Sequence, residues 1–321
     1  MTRAPKLPVV DREERFLARV AWAYHVEGLT QERVALKLGT TRLRVNKALG
    51  EARRQGLVRI SFDTSYAACA ELEAGLKAHW GLRAAYVAPS PERADDVQTM
   101  VGAALGHLLS ELLADPALRL FGMSWGGTLN IATRFVGALR RPDLEILAVM
   151  GGLTRGSDLN SFEITARLAD LVGASHSYFT APLYASSAET RDAILSLDVF
   201  RGLLARLRSV DALAMAAGDL STRSLLVRDA LPPDVTAADL AAAGGVGDIL
   251  GWIVDADGHP VPHPLNDRVV GLTLDDLTRL PNVVLAAGGP HKVPILRAAL
   301  RRGLARTLVT DEATARALLD G

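Results

Sequence analysis

Residues 29–60 read LTQERVALKLGTTRLRVNKALGEARRQGLVRI, and the punctuation of this stretch decides the N-terminal fold. Thr30 is placed to cap a helix, with Val34, Leu36 and Leu38 expected to make apolar contacts around Ala35. Gly39 can take the positive φ that closes a turn. Thr40 and Thr41 can cap a second helix over residues 42–55. In that helix Val45, Ala48, Leu49 and Ala52 share one face, while Arg42, Arg44, Asn46, Lys47, Arg53 and Arg54 occupy the other. Gly56 ends it, and residues 57–60 are expected to begin a strand. The pattern predicts a helix-turn-helix followed by a wing. A helix docked by its apolar side with a cationic side free suits a DNA major groove.

Working outward, residues 11–27 form a helical pattern with Phe16, Val20, Ala23 and Tyr24 near one face. Residues 1–60 carry 13 Lys or Arg against 6 Asp or Glu, whereas the whole chain balances 36 against 36. A basic N-terminal module on an acidic body is the polarity of a protein that offers one end to phosphates. The chain of 321 residues accommodates that small module, residues 1–60, plus one large domain, residues 61–321. The single cysteine, Cys69, cannot form an internal disulfide and fits a reducing cytosol as a small buried residue. Neither a signal peptide nor an apolar run of membrane-spanning length is visible, so a cytoplasmic protein is expected.

Beyond residue 61 strand and helix patterns alternate. Strands are expected at 84–88, 118–121, 144–150, 176–180, 210–217, 283–287 and 308–309. Helices are expected at 66–80, 96–113, from 128, at 162–172, from about 290 to 302, and at the end. The strands are apolar with little alternation, which predicts an α/β domain with a mainly parallel sheet buried on both faces. Four of them run into glycine, at Gly122, Gly151-Gly152, Gly218 and Gly288-Gly289. Ligands of open α/β sheets bind at carboxyl strand ends, so these glycines outline a pocket.

The turn Gly122-Met123-Ser124-Trp125-Gly126-Gly127-Thr128 supports two chemistries. As a phosphate cradle, its glycines let backbone N–H groups approach an anion, and its hydroxyls and the following helix N-terminus assist. As Gly-x-Ser-x-Gly, it also fits the nucleophile elbow of a serine hydrolase, with Asp219 or Asp248 and His291 following in the required order. No Walker lysine follows, and no oxyanion segment precedes it. Trp125 can either stack on a ligand or fill space beneath the helix. His259 and His263 are spaced like metal ligands, but intervening prolines preclude a helix presenting both. Trp252 is expected in the core, and Arg140-Arg141 and Arg301-Arg302 are expected to be solvated helix ends.

The chain resembles the SorC family of sugar-responsive bacterial transcriptional regulators over nearly its full length. The resemblance rests on LTQERVALKLGTTRLRVNKAL, on GMSWGGTL at 122–129, MGGL at 150–153 and APLYASS at 181–187. GGVGDILGWIVDADG at 244–258, PLNDRVVGL at 264–272 and AAGGPHKVPILRAAL at 286–300 complete it. It implies a winged DNA-binding domain joined to a domain similar to sugar-phosphate isomerases, assembled as a homotetramer or dimer. It implies no catalytic residue, metal or cofactor. Base edges would be read by Arg42, Arg44, Asn46 and Lys47, with Gln31, Thr40, Thr41 and Arg59 on the DNA backbone. A phosphorylated sugar or polyol would sit on Ser124, Gly126, Gly127 and Thr128, with Gly122 and Trp125 in the same turn. Gly151 and Gly152 would border it, Asp248 would face its hydroxyls, and Lys292 would add a cation. Asn46 and Lys47 depart from the family's usual recognition helix. A sugar-phosphate isomerase-like enzyme is the alternative within the same fold.

Overall fold

A computed structural model describes residues 12–25, 27–55, 57–58, 64–91, 93–137, 139–153 and 159–320. The chain divides between residues 63 and 64 into two compact units.

The first unit holds α1 (Arg12–His25), α2 (Gln31–Leu38) and α3 (Arg42–Arg54). Thr30 Oγ1 accepts from Arg33 N at 3.3 Å, and Gly39 ends α2 in the left-handed region at φ 62°. Thr41 Oγ1 accepts from Arg44 N at 3.3 Å and so caps α3. Leu17, Val20, Ala23, Val34, Ala35, Val45, Ala48, Leu49 and Ala52 form the core of this unit. Leu36 does not join them. It is 78% exposed, because in an eight-residue helix the stripe through Val34 and Leu38 leaves position 36 on the opposite side. Leu57 and Val58 lie in a bend rather than a strand, and Gly56, Arg59 and Ile60 lie outside the described residues.

The second unit begins with α4 (Thr64–Trp80), β1 (Ala84–Ala88), α5 (Val97–Ala114), β2 (Leu120–Met123), α6 (Gly127–Ala132), β3 (Glu145–Ala148) and α7 (Ser161–Val172). It continues through β4 (Ser175–Ser177), α8 (Ala188–Ser196), α9 (Asp198–Leu207), β5 (Ala212–Met215) and β6 (Ala217–Gly218). Then come α10 (Ala237–Ala242), β7 (Gly247–Ile249), β8 (Trp252–Val254), α11 (Leu274–Arg279), β9 (Val283–Ala286), α12 (Val293–Arg301), β10 (Thr307–Asp311) and α13 (Glu312–Leu319).

Seven strands form one parallel sheet in the order β1-β10-β9-β5-β2-β3-β4. Successive strand residues feed opposite faces. Ile146, Ala214, Val284 and Val309 pack into one core, and Leu147, Leu213, Leu285 and Leu308 into the other. That double burial is why these strands are continuously apolar. The segment expected as one strand over 210–217 divides: β5 joins the parallel sheet, whereas β6 pairs antiparallel with the hairpin β7–β8. The strand expected at 118–121 lies two residues later.

Three further expectations are corrected. α5, of 18 residues, is long and apolar enough to cross a membrane by length and composition. Here its Val101, Leu105, Leu108, Leu109 and Leu113 are buried in the core, which accounts for its composition. Arg141 is buried rather than solvated. Its guanidinium donates to the carbonyls of Leu113 (2.5 Å), Asp115 (2.7 Å) and Leu118 (2.6 Å), tying together the last turn of α5 and the chain that leaves it. Arg302 is largely covered too, bonding Gly258 O and Asp275. Trp252, expected in the core, does pack against it while partly buried, its indole N–H donating to Leu272 O at 2.9 Å.

Candidate functional site

The sheet order sets the site. From β2 the chain proceeds through β3 and β4 toward one edge; from β5 it proceeds through β9 and β10 toward the other. The loops leaving β2 and β5 therefore diverge, and a cavity of about 290 Å³ opens at the carboxyl ends of β2, β5 and β9. Trp125, Gly126, Gly127 and Thr128 line it from β2, Gly218 and Asp219 from β5–β6, and Gly288, His291 and Lys292 from β9. Asp248 enters from β7.

Gly126, at φ 114°, turns the chain into α6, and Trp125 is at once a core residue and part of the cavity wall. Asp248 is 3% exposed. Its Oδ2 accepts from Gly251 N at 3.1 Å. A Cβ on Gly218 would lie 1.8 Å from its Oδ1, so glycine there is required by the carboxylate. The hairpin turn behind it holds Leu250 at φ 52° and Gly251 at φ 83°. Both central residues of this two-residue turn are left-handed, which costs a leucine about 1–2 kcal/mol. Tyr184 clamps the turn by donating from its hydroxyl to Gly251 O at 2.5 Å. Burial pushes the Asp248 carboxyl up to about 6, against the Gly251 N–H and Lys292, which favour its anion.

Asp219 behaves oppositely. Burial raises it, but the Lys292 ammonium, 2.8 Å from its Oδ2, and hydrogen bonds from Ser221 outweigh that and hold it at about 2. His291 Nε2 lies 3.8 Å from the same oxygen. Burial, then the neighbouring Lys292, lowers the His291 imidazole. The turn carrying His291 and Lys292 is anchored from beneath. Gly289 N donates to Asp311 Oδ1 at 2.9 Å and to Thr314 Oγ1 at 2.8 Å.

Six residues expected at the effector site thus converge on one cavity: Trp125, Gly126, Gly127, Thr128, Asp248 and Lys292. Gly122, Ser124, Gly151 and Gly152 are not among its lining residues. Gly122 packs against Val149 and Leu213, and Gly151 against the backbone of Pro182. Gly152 bridges Pro182 as well. Ser124 is fully buried, its hydroxyl's hydrogen bond being to Trp125 O at 3.5 Å. It lacks the positive φ of a strained elbow, and among the described residues no histidine bonds to it. Asp95, Gln98, Ser224, Arg223 and Arg228 also line the cavity and had no signal in the sequence beyond being polar. A π-helical turn, Leu226–Ala230, carries Arg228. Tyr184 and Asn266 lie within APLYASS and PLNDRVVGL. Asn266 holds the hairpin by accepting from Ile253 N and donating to the carbonyls of Ile253 and Val261.

In the first unit, Arg42, Asn46 and Lys47 are exposed on α3, and Gln31 is half-buried at the start of α2. Thr40 and Thr41 lie in the turn between the two helices. Arg44 is drawn back onto α1, with its guanidinium 4.7 Å above the Phe16 ring and 4.0 Å from Glu13. His263 Nδ1 accepts from Leu265 N at 3.1 Å, and among the described residues no group of His, Cys, Asp and Glu is arranged to hold a metal.

Residues 64–320 match the family described as a sugar-binding domain. The chain is 30% identical, over 96% of its length and 93% of the relative's, to the transcriptional regulator LsrR of Klebsiella pneumoniae. It is 28% identical, over 97% of its length and 98% of the relative's, to the erythritol catabolism regulatory protein EryD of Brucella abortus. Among solved structures, the full-length sorbitol operon regulator SorC of Klebsiella pneumoniae superposes with a TM-score of 0.72 at 23% identity, covering 95% of this chain and 98% of that one. A DeoR family transcriptional regulator of Listeria monocytogenes gives a TM-score of 0.70 at 24% identity, covering 78% and 99%.

Proposed function

The chain belongs to the SorC family of sugar-binding transcriptional regulators, and from that membership we propose that it is a DNA-binding regulator of sugar or polyol catabolism whose operator binding is modulated by a phosphorylated sugar or polyol. The observation that carries this is the composition of one cavity. Gly127 and Thr128 bring first-turn backbone N–H groups and a hydroxyl to one wall, the Gly126 N–H being taken by Leu159 O at 3.2 Å, while Asp219, Asp248 and Lys292 stand on the others. Carboxylates accept from sugar hydroxyls, and the first turn of a helix has N–H groups without intrahelical partners for a phosphate. The volume of about 290 Å³ suits a ligand of monosaccharide size.

On the DNA side, α3 inserts its exposed face into the major groove. Thr40, Thr41 and Gln31 take phosphates, and Arg59, outside the described residues, is assigned to the wing. One short helix reads too few base pairs for useful specificity, so the active form is at least a dimer, and a tetramer is consistent with it. Residues 1–60 serve as the DNA-binding domain and 61–321 as the effector and assembly domain. The protein acts in the cytoplasm and is not an enzyme.

The test has two arms on the purified full-length chain. Its own upstream DNA should be preferred to random duplex, with affinity falling steeply as salt rises. A panel of sugar phosphates beside their parent sugars should raise the melting temperature selectively; a ligand at 100 times its Kd adds about 2.7 kcal/mol. Absence of sequence preference sinks the regulator. Stabilisation by the parent sugars alone sinks the phosphate.

A further inference from the structure

Residue 43 of α3 breaks the polarity of the helix face on which it stands. Leu43, Asn46, Lys47 and Gly50 follow one another at i, i+3, i+4 and i+7, opposite the buried stripe of Val45, Ala48, Leu49 and Ala52. Leu43 is 67% exposed in the middle of this polar, cationic surface. The core of the unit makes no use of it, since the core is filled from the other side of the helix. Leu43 also lies in the first turn of α3, and recognition helices contact base edges with their N-terminal residues.

Two neighbouring observations sharpen its role. Arg44, its polar neighbour, leans over Phe16 toward Glu13 while staying exposed, so Leu43 stands on the outward face beside a cation whose guanidinium is turned toward α1. One turn further on, Gly50 stands in the helix interior although a Cβ there would meet nothing within 4 Å. A glycine at such a position weakens the helix by about 1 kcal/mol relative to alanine with no packing reason in this fold. It does keep the face low where a groove wall would approach.

Apolar side chains read DNA at one chemical feature of the major groove, the 5-methyl group of thymine. We propose that Leu43 is a specificity residue of this protein and contacts a thymine methyl in each half-site. The inference rests on the regulator reading above and adds to it the base that an otherwise cationic helix selects.

The test is a methyl deletion. An operator is first selected from random duplex with the full-length chain, and each thymine is then replaced singly by uracil, which removes the methyl group and leaves the hydrogen-bonding edge unchanged. Wild type should lose about fourfold in affinity at one thymine per half-site, the ratio to which roughly 0.8 kcal/mol for one buried methyl group converts. Leu43→Ser, verified to melt at the wild-type temperature, should bind thymine and uracil equally at that position. Indifference of wild type to every replacement overturns the proposal. So does a Leu43→Ser variant that keeps the methyl dependence, or one that changes the oligomeric state instead of the dependence, which would make Leu43 an interface residue. Failure of wild type to select any operator overturns the regulator reading itself, and this inference with it.

Discussion

Lys292 Nζ lies 2.8 Å from Asp219 Oδ2, joining the loop after β9 to the segment after β6 in the wall of the cavity. The two side chains are largely covered, so the pair is screened less than a surface bridge and its loss exposes an uncompensated charge. The same ammonium lowers Asp248, deeper in the cavity. One cation thus stabilises two carboxylates, and an arriving anion competes for it.

Lys292→Met should destabilise the protein by about 2 kcal/mol at pH 7. Asp219 is held at about 2, below its ordinary value of 3.8, so its contribution is present above pH 4 and is lost as pH falls from about 4 to about 2. The gap between wild type and variant, measured by urea denaturation, should therefore close over that window. A gap independent of pH would mean that the pair contributes nothing through Asp219.

Asp248→Asn should act in the opposite direction. The wild-type carboxyl titrates at about 6 in the folded state and near 3.8 when unfolded, so the folded form binds the proton more tightly. Stability should fall as pH rises from about 4 to about 6. Asparagine, still able to accept from Gly251 N, should restore on the order of 3 kcal/mol at pH 7, with little difference below pH 4. The same variant should lose the response to a hydroxyl-bearing ligand. A pH profile parallel to wild type would contradict the assigned environment.

Gly218→Ala should displace Asp248, because its methyl would stand 1.8 Å from a carboxylate oxygen. Overpacking of this kind costs roughly 1–3 kcal/mol. DNA affinity without ligand should remain near wild type while ligand-induced stabilisation disappears. A variant that keeps both its melting temperature and its ligand response would show that Asp248 can be accommodated elsewhere.

Ser124→Ala should leave stability within about 1 kcal/mol, since the hydroxyl has only a 3.5 Å contact to Trp125 O to lose. Wild type should likewise resist labelling by an electrophilic phosphonate at Ser124. Stoichiometric labelling there would revive the hydrolase chemistry that Gly-x-Ser-x-Gly suggests.

The first unit was legible because its signals are local. Thr30 caps, Gly39 at φ 62° terminates, and Val45, Ala48, Leu49 and Ala52 repeat with the helical period, each within a few residues of the feature it controls. Leu36 was misplaced because alternation with Val34 and Leu38 looks like one apolar cluster in a line of text, and only a 3.6-residue turn puts it outside. Arg141 was misplaced for a different reason: its partners, Leu113, Asp115 and Leu118, lie more than twenty residues upstream.

The sequence by itself determined that continuous apolar strands alternate with helices, that four of them run into glycine, and that a basic helical module precedes them. Those properties reside in single residues and their immediate neighbours: side-chain period, backbone freedom and charge. Tertiary structure alone decided which strand ends meet. The order β9-β5-β2 gathers Lys292, Asp219 and Thr128 around one cavity and leaves Gly151, a comparable glycine at the end of β3, packed against Pro182. It also gave Asp219 and Asp248 opposite acidities, about 2 and about 6, because burial acts on both while an ammonium is within hydrogen-bonding distance of only one. Distance between chain-remote groups sets such differences, and a linear sequence does not contain it.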